Sequence, residues 1–524
     1  MAYKGLEAKI SLGDMGLLTD IPSDKVPPGA LIYAKNICYF NGCVQKAPGT
    51  IKYNASALTT KVVAIHDWWP TTTTQRLIAV TADGIISKGR DRTFATINST
   101  IGILTPNCVF AEGGNETASS NKKLFLFTGG VTNPYVLSGD GTTFTAISNP
   151  ATDWAIGRYP KFGVVHRNRL WAFAGQFSYA SATASHENFT SSALSEAIFP
   201  GEGGELRGAF VFKGRLFAFK DGGFAYYLND QDTDSDNWYW QKIASNFGLA
   251  APNAIAEVLD DMLAGNTTGT ITSYMASEKL GNIEAADIIQ GAAVETFHRA
   301  NTSKVGVTEQ HLHFYSEKKL LLATYRTSYQ TSNDCLMVID VGREQPRISY
   351  WIKGTPSCLA KRKDENEIDR PMYGDASGYV HFMDREDRLE GGATAYSGDF
   401  QIAHTDFSYM DPKLTATEKH FDWLGVTYLP ESSGNLSCDY FIDGRYVETI
   451  TFVMTQNNSG RLDTLLLGTN RLIQANTETC IRKLAGSGRT FSARFYNSGS
   501  NQSFQISSIT VGFRPGGQKA QKTS

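Results

Sequence analysis

The 524-residue chain is poor in charge: Asp, Glu, Lys and Arg make up 19% of it, against about 25% in an ordinary soluble domain. Its 49 basic and 52 acidic residues leave a net charge of −3. That excludes a basic arm that coats nucleic acid, although a pore through which DNA merely passes needs no basic excess. Cysteine is scarce too, at seven residues, none paired at metal-ligand spacing. Cys38 and Cys43 flank Asn41-Gly42, a two-residue hairpin signal. In that register Phe40 faces Cys43 and Cys38 faces Gln45, so the thiols are diagonal neighbours and reduced cysteines are expected. No apolar run approaches ~18 residues, so neither a spanning helix nor stable membrane insertion is expected. Met1–Ile10 lacks the apolar stretch of a secretory signal, and synthesis in a cytoplasm is expected. A nucleophile elbow, a P-loop, a dinucleotide fingerprint and a His-Glu-x-x-His pair are all missing. No catalytic, cofactor-binding or metal-binding residue is therefore assigned, and the chain is not expected to be an enzyme.

What the chain does have is glycine, aromatic side chains and a repeat. Its 49 Gly and 11% aromatic content suit turns and strands, and point to an all-β fold. A short apolar strand followed by a Gly-containing turn recurs along the sequence. Examples are Leu77-Ile-Ala-Val, Leu124-Phe-Leu-Phe127, Leu170-Trp-Ala-Phe173 and Leu216-Phe-Ala-Phe219. Weaker copies start at Met262, Leu320 and Met372. The anchors are spaced by 47, 46, 46, 46, 58 and 52 residues. The long fifth step holds Leu280–Ile289, which reads as a helical insertion. A period of about 40–50 residues with several strands per unit is the propeller signature. The stretch from Lys61 to Glu390 spans 330 residues, which accommodates six or seven blades; the alternative is a run of meanders without radial closure.

After residue 395 the pattern changes to longer strands: Phe421–Leu429, Leu436–Ile442 turning at Asp443-Gly444 into Arg445–Val453, Thr490–Tyr496 and Phe504–Phe513. Such spacing describes a β-sandwich or small barrel. The division expected is an N-terminal arm and hairpin over 1–60 and a six- or seven-bladed β-propeller over 61–390. A C-terminal β-sandwich domain over 395–515 and a flexible tail over 516–524 complete it.

Four groups of residues carry candidate chemistry. Asp230, Asp232, Asp234 and Asp236 have the spacing of a calcium loop. That loop needs glycine at its sixth position and an acid at its twelfth. Counting from Asp230 these are Ser235 and Gln241, and from Asp232 Asn237 and Ile243, so an exposed acidic loop is expected instead. His311 and His313 alternate on a strand and share a face, as two zinc ligands could, without a visible third. Trp68-Trp69 and Trp238-Tyr-Trp240 suit either stacking on sugars or packing between blades. Lys361–Arg370 is a mixed-charge run, read as a solvated loop or a contact between subunits.

The N-terminal stretch is the most individual. It reads Gly13-Asp-Met-Gly-Leu-Leu-Thr-Asp20, Val26-Pro-Pro-Gly-Ala30, Ala34-Lys-Asn36, Phe40-Asn-Gly-Cys-Val44 and Lys46-Ala47-Pro48-Gly49. Together with Phe162–Trp171, Ser178–Ser181 and the C-terminal Phe421–Asp443 and Phe504–Phe513, it resembles the tail nozzle or tail hub (tail tubular) proteins of short-tailed bacteriophages. Ala47 stands where that pattern has Arg. The resemblance implies a structural virion protein of the tail, made in the host cytoplasm. Six copies would form a ring below the portal–adaptor (head-to-tail connector) ring. That ring would extend the DNA-ejection channel for genomic double-stranded DNA and anchor tail fibres or spikes. The alternative functions are a carbohydrate-binding, receptor-binding propeller and a propeller glycoside hydrolase, whose carboxylate pair would be invisible in sequence.

Overall fold

The computed structural model describes residues 5–516 except 23–24, 41, 91, 99–100, 115–121, 191–193, 222, 244–246, 281–286, 344, 364–367, 386–387, 430–433 and 455–476. Seven antiparallel sheets follow one another along the chain as the blades of a β-propeller. Their first strands are Val62–Trp68, Val109–Gly114, Phe162–His166, Leu206–Phe212, Ile255–Val258, Leu312–Tyr315 and Cys358–Lys363. Their second strands are Arg76–Thr81, Lys122–Phe127, Arg169–Ala174, Arg215–Lys220, Asp261–Gly265, Leu320–Tyr325 and Asp369–Gly374. Each second strand carries one of the seven sequence anchors. The anchors are continuously apolar because these strands are covered on both faces, as in Leu124–Phe127, which is fully buried. Six of the sheets stand separately, and the sixth blade in chain order, Leu312–Trp351, continues into a nine-stranded sheet. Helices Tyr274–Leu280, Ile288–Gly291 and Glu295–Asn301 occupy the long fifth step. Of the helical insertion expected over Leu280–Ile289, residues 281–286 lie outside the described ones.

Residues 5–52 are distributed through the molecule. Leu6–Ser11 pairs antiparallel with the last strand, Gln505–Pro515. Leu31–Lys35 lies between Arg347–Trp351, which it meets in parallel, and Gly398–Ile402. It thus joins the sixth blade to strands Phe491–Asn497, Gly434–Ile442 and Arg445–Met454. The hairpin of Ile37–Phe40 and Cys43–Lys46 has the register read from the sequence, Phe40 opposite Cys43 and Cys38 opposite Gln45. It extends a second sheet built on Gln505–Pro515 and Lys419–Tyr428. The two sheets share one hydrophobic core, in which Phe400 contacts Phe504 and Phe421 contacts Phe491. Finally, Gly49–Lys52 adds to Val380–Arg385 as the outer strand of the seventh blade. A strand from before the first blade therefore completes the last one. All seven cysteines are free thiols. The C-terminal tail expected to be flexible lies, from residue 517, outside the described residues.

The turn between the two sheets is made by Asn36, 2% exposed and at φ 51°. Its N–H donates to the Tyr350 carbonyl (2.8 Å) and its own carbonyl accepts from the Ala47 N–H (2.9 Å). Its side-chain Nδ2 donates to the Ser397 carbonyl (2.8 Å), and Oδ1 accepts from the Ile352 N–H (2.7 Å). Asparagine is among the few non-glycine residues that tolerate left-handed backbone. Asn36→Gly should retain the backbone and lose both side-chain bonds, costing about 1–3 kcal/mol. Asn36→Ala should add a left-handed penalty of roughly 1–2 kcal/mol. Urea unfolding of the two variants should place Ala below Gly; the reverse order would refute the backbone argument.

Candidate functional site

The first strands of the blades converge on the propeller axis, and there the chain closes it. Asn253, leading into the fifth blade, donates through Nδ2 to the carbonyls of Pro106 (3.1 Å) and Cys108 (3.0 Å), which lead into the second. His311, leading into the sixth, donates through Nε2 to the same Pro106 carbonyl (2.7 Å), and its Nδ1 accepts from the Leu359 N–H of the seventh (3.4 Å). The second and fifth blades are not neighbours in the ring, so these bonds run across the axis. Burial pushes the His311 pKa down to about 4, and the neutral ring has one donor and one acceptor to match its two partners.

That arrangement decides the histidine reading. Both nitrogens of His311 are occupied by main-chain groups. Among the described residues His313, whose pKa burial also lowers to about 4 with Lys361 adding to the shift, shares no ligand with it. Among the described residues no three His, Cys, Asp or Glu side chains form a metal-binding group. The acidic loop is not uniformly exposed either. Asp230 is 4% exposed and accepts from His166 Nε2 (2.6 Å) and Arg167 Nε (2.8 Å). Burial opposes its charge, yet those two bonds hold its carboxyl below the usual range. Asp232 and Asp234 accept from the N–H groups of Asp234 and Asp236, a chain of turns that leads into the short 3₁₀ helix Ser235–Asn237. In the mixed-charge run, Arg362 stacks on Tyr53 (4.9 Å) and donates to its hydroxyl (2.7 Å). Lys361 pairs with Asp369 at 2.9 Å, and residues 364–367 lie outside the described ones.

The tryptophans divide. Trp68 is fully buried and Trp240 nearly so, each with its indole N–H on a partner inside the protein, the Gly139 carbonyl and the Ser178 hydroxyl. Neither can stack on a sugar, because alternation along a strand sends these side chains between blades. Trp69 is half-buried and tied to Asp67 (3.1 Å). Trp238 is different. It is half-buried and lines a cavity of about 360 Å³ between the third and fourth blades with Trp171, Leu194, Ser195, Glu196 and Asp236.

Sequence reading missed a cationic cluster beneath the Lys46-Ala47-Pro48-Gly49 phrase. Lys46 is fully buried and donates to Asn497 Oδ1 (3.1 Å) and the Gly499 carbonyl (3.2 Å). Lys353, 6% exposed, donates to the Pro48 carbonyl, and the Tyr396 hydroxyl donates to that of Ala47. Both ammonium groups lie over the Tyr396 ring, at 4.9 and 4.4 Å. Burial lowers each lysine pKa to about 8.

No protein-family model and no curated protein matches the chain. Similar solved structures include a YCF48 bound to a D1 peptide, with 10% identity, TM-score 0.40, 64% of this chain and 99% of that one covered. The YCF48 of Cyanidioschyzon merolae gives 11%, 0.39, 64% and 98%. The computationally designed Ika8 protein gives 9%, 0.37, 64% and 99%. Among the described residues no helix is long and apolar enough to cross a membrane.

The buried lysines make stability depend on pH with a definite sign. An unfolded lysine keeps its proton up to about 10.5 and folded Lys353 only up to about 8. Between those values the unfolded chain binds the additional proton, so the lysine's burden on folding is complete below pH 8 and falls as pH rises. From pH 8 to 9 Lys353 should contribute roughly 1 kcal/mol of increasing stability. Urea melts of the wild type and Lys353→Met across that interval should differ in slope by this amount; parallel profiles would contradict it.

Proposed function

We propose that this protein is a structural component of the tail of a short-tailed bacteriophage, a nozzle or hub ring. In this reading copies of the chain, six by resemblance to the family, assemble below the portal–adaptor ring. They carry fibres or spikes outside and surround the path of the ejected DNA inside, and the chain performs no chemistry. The observation that carries the reading is what the N-terminal phrases do. Asn36 and Lys46–Gly49, the residues of the resemblance, are buried where the propeller meets the C-terminal sheets. A phrase in that position describes the architecture of the whole body rather than a loose arm. Since Asn253 and His311 bridge the propeller axis, the DNA path in this reading is the lumen between copies, not the centre of a propeller. A near-neutral composition suits such a lumen, because each phosphate held by a bound cation retards passage.

The purified chain should form closed rings by negative-stain imaging and multi-angle light scattering, or do so when a portal–adaptor assembly is supplied. A strict monomer that never joins the adaptor would sink the proposal.

A further inference from the structure

We infer that the cavity between the third and fourth blades is a saccharide-binding site, with Trp238 as its aromatic platform and Glu196 as its principal hydroxyl acceptor. This inference is independent of ring assembly. The cavity, about 360 Å³, falls within the range of small-molecule sites, about 300–1,000 Å³. The lining is aromatic: Trp171 and Trp238 lie near-parallel, 21° between planes and 6.5 Å between centroids. Trp238 is fixed by its indole N–H on the Asp232 carbonyl (2.9 Å). The acidic loop, itself tied by the bonds of Asp232 and Asp234 to the N–H groups that follow them, thus serves to set this ring.

The outer strand of the third blade, Leu194–Ala197, continues the wall on which Trp171 stands, since Leu194 pairs with Ala180 and Ala180 with Trp171, and the fourth blade faces it with Trp238. Leu194 and Glu196 share a face, and Leu194 and Trp238 both pack against the cluster that contains Trp171. Glu196 is thereby placed beside the aromatic wall. Although it is exposed, partial desolvation by its surroundings raises its pKa. Ser195 and Ser235 add hydroxyls and Asp236 a second carboxylate. An apolar ring face beside hydroxyl and carboxylate acceptors matches a pyranose, which has one C–H face and a rim of hydroxyl donors.

A cationic ligand is the other chemistry that aromatic rings and carboxylates attract. Here the Arg169 guanidinium already lies 5.9 Å from the Trp238 ring centroid and donates to the Ser235 hydroxyl (3.1 Å). It also counters Asp236 electrostatically. A second cation at this ring would meet that charge, whereas a neutral sugar would not.

The test is titration of the full chain with a panel of neutral oligosaccharides (maltotriose, cellotriose, chitotriose, mannotriose and galactobiose) and with tetramethylammonium, followed by tryptophan fluorescence and calorimetry. At least one saccharide should bind and perturb the fluorescence. Trp238→Ala should weaken it by about tenfold or more, and Glu196→Gln by roughly tenfold. Glu196 lies on the surface, so Glu196→Gln should retain the wild-type melting temperature and keeps the test valid should Trp238→Ala disturb the blade. Saccharide binding unchanged in Glu196→Gln, tetramethylammonium binding in its place, or no binding by any of the panel at millimolar concentration would each overturn the inference. Loss of ring assembly is not an outcome of this experiment.

Discussion

One buried residue, Asn36, holds together parts of the chain that are hundreds of positions apart. It uses all four of its polar groups, on Tyr350, Ala47, Ser397 and Ile352. The chain before it runs in the nine-stranded sheet and the chain after it in the second sheet, so the left-handed turn at Asn36 is where the two layers are joined. Arg347 braces the same junction. Its guanidinium lies over Tyr39 (5.1 Å), donates to the Gly13 carbonyl and pairs with Asp340, all in the interior. A buried ion pair of this kind adds little net energy, but removal of either partner strands a charge. What it supplies here is a fixed position for the arm against the sixth blade.

The Lys46 and Lys353 cluster follows from the same constraint. The chain must pass from the second sheet to the rim of the seventh blade through Lys46–Gly49, and Pro48 and the short connection leave main-chain carbonyls inside with no strand to pair with. Buried carbonyls need donors, and the lysine ammonium and the Tyr396 hydroxyl provide them. The lowered lysine pKa values are the electrostatic cost of donors that carry charge. An apolar residue at position 353 would leave the Pro48 carbonyl without its donor, and one at position 46 would do the same to the Gly499 carbonyl and the Asn497 amide oxygen, so each charge is retained for its hydrogens.

The propeller was legible because its signal is local. A second strand covered on both faces must be apolar along its whole length, and a spacing of 46 residues follows from four short strands and their turns. The Phe40–Cys43 register was legible for the same reason, since a two-residue turn dictates it. Long-range pairings were not. Nothing in Leu31-Ile-Tyr-Ala-Lys35 says that it meets Arg347–Trp351 in parallel, or in Gly49-Thr-Ile-Lys52 that it completes a blade begun more than 300 residues later. The tryptophans were undecidable in sequence because strand alternation says that two residues share a face without saying which face is covered. Trp238 and Trp240 differ in burial although they share one parity. The first sits just outside the strand Tyr239–Lys242, held on the acidic loop, and the second within it. Likewise the pairing of Asp230 with His166, 64 positions away, is a contact between blades that no motif announces.

The closure of the axis has a consequence for the whole molecule. A propeller whose blades touch only their neighbours can breathe as a ring. One in which the second blade is hydrogen-bonded to the fifth and sixth is cross-braced, because opening any of these three breaks bonds to a blade that is not its neighbour. Cys108, whose carbonyl is part of this brace, and Cys358 are buried and stay protonated, their pKa values pushed up to about 12 by burial. Cross-bracing at the centre and a strand from the N-terminal arm at the rim of the seventh blade leave the disc without a free end. With the centre bonded across and the rim of the seventh blade closed by the arm, the loops and the grooves between blades remain as the surfaces that can receive a ligand. Binding on this fold is therefore sought in those grooves, of which the Trp238 cavity is one, and not along the axis.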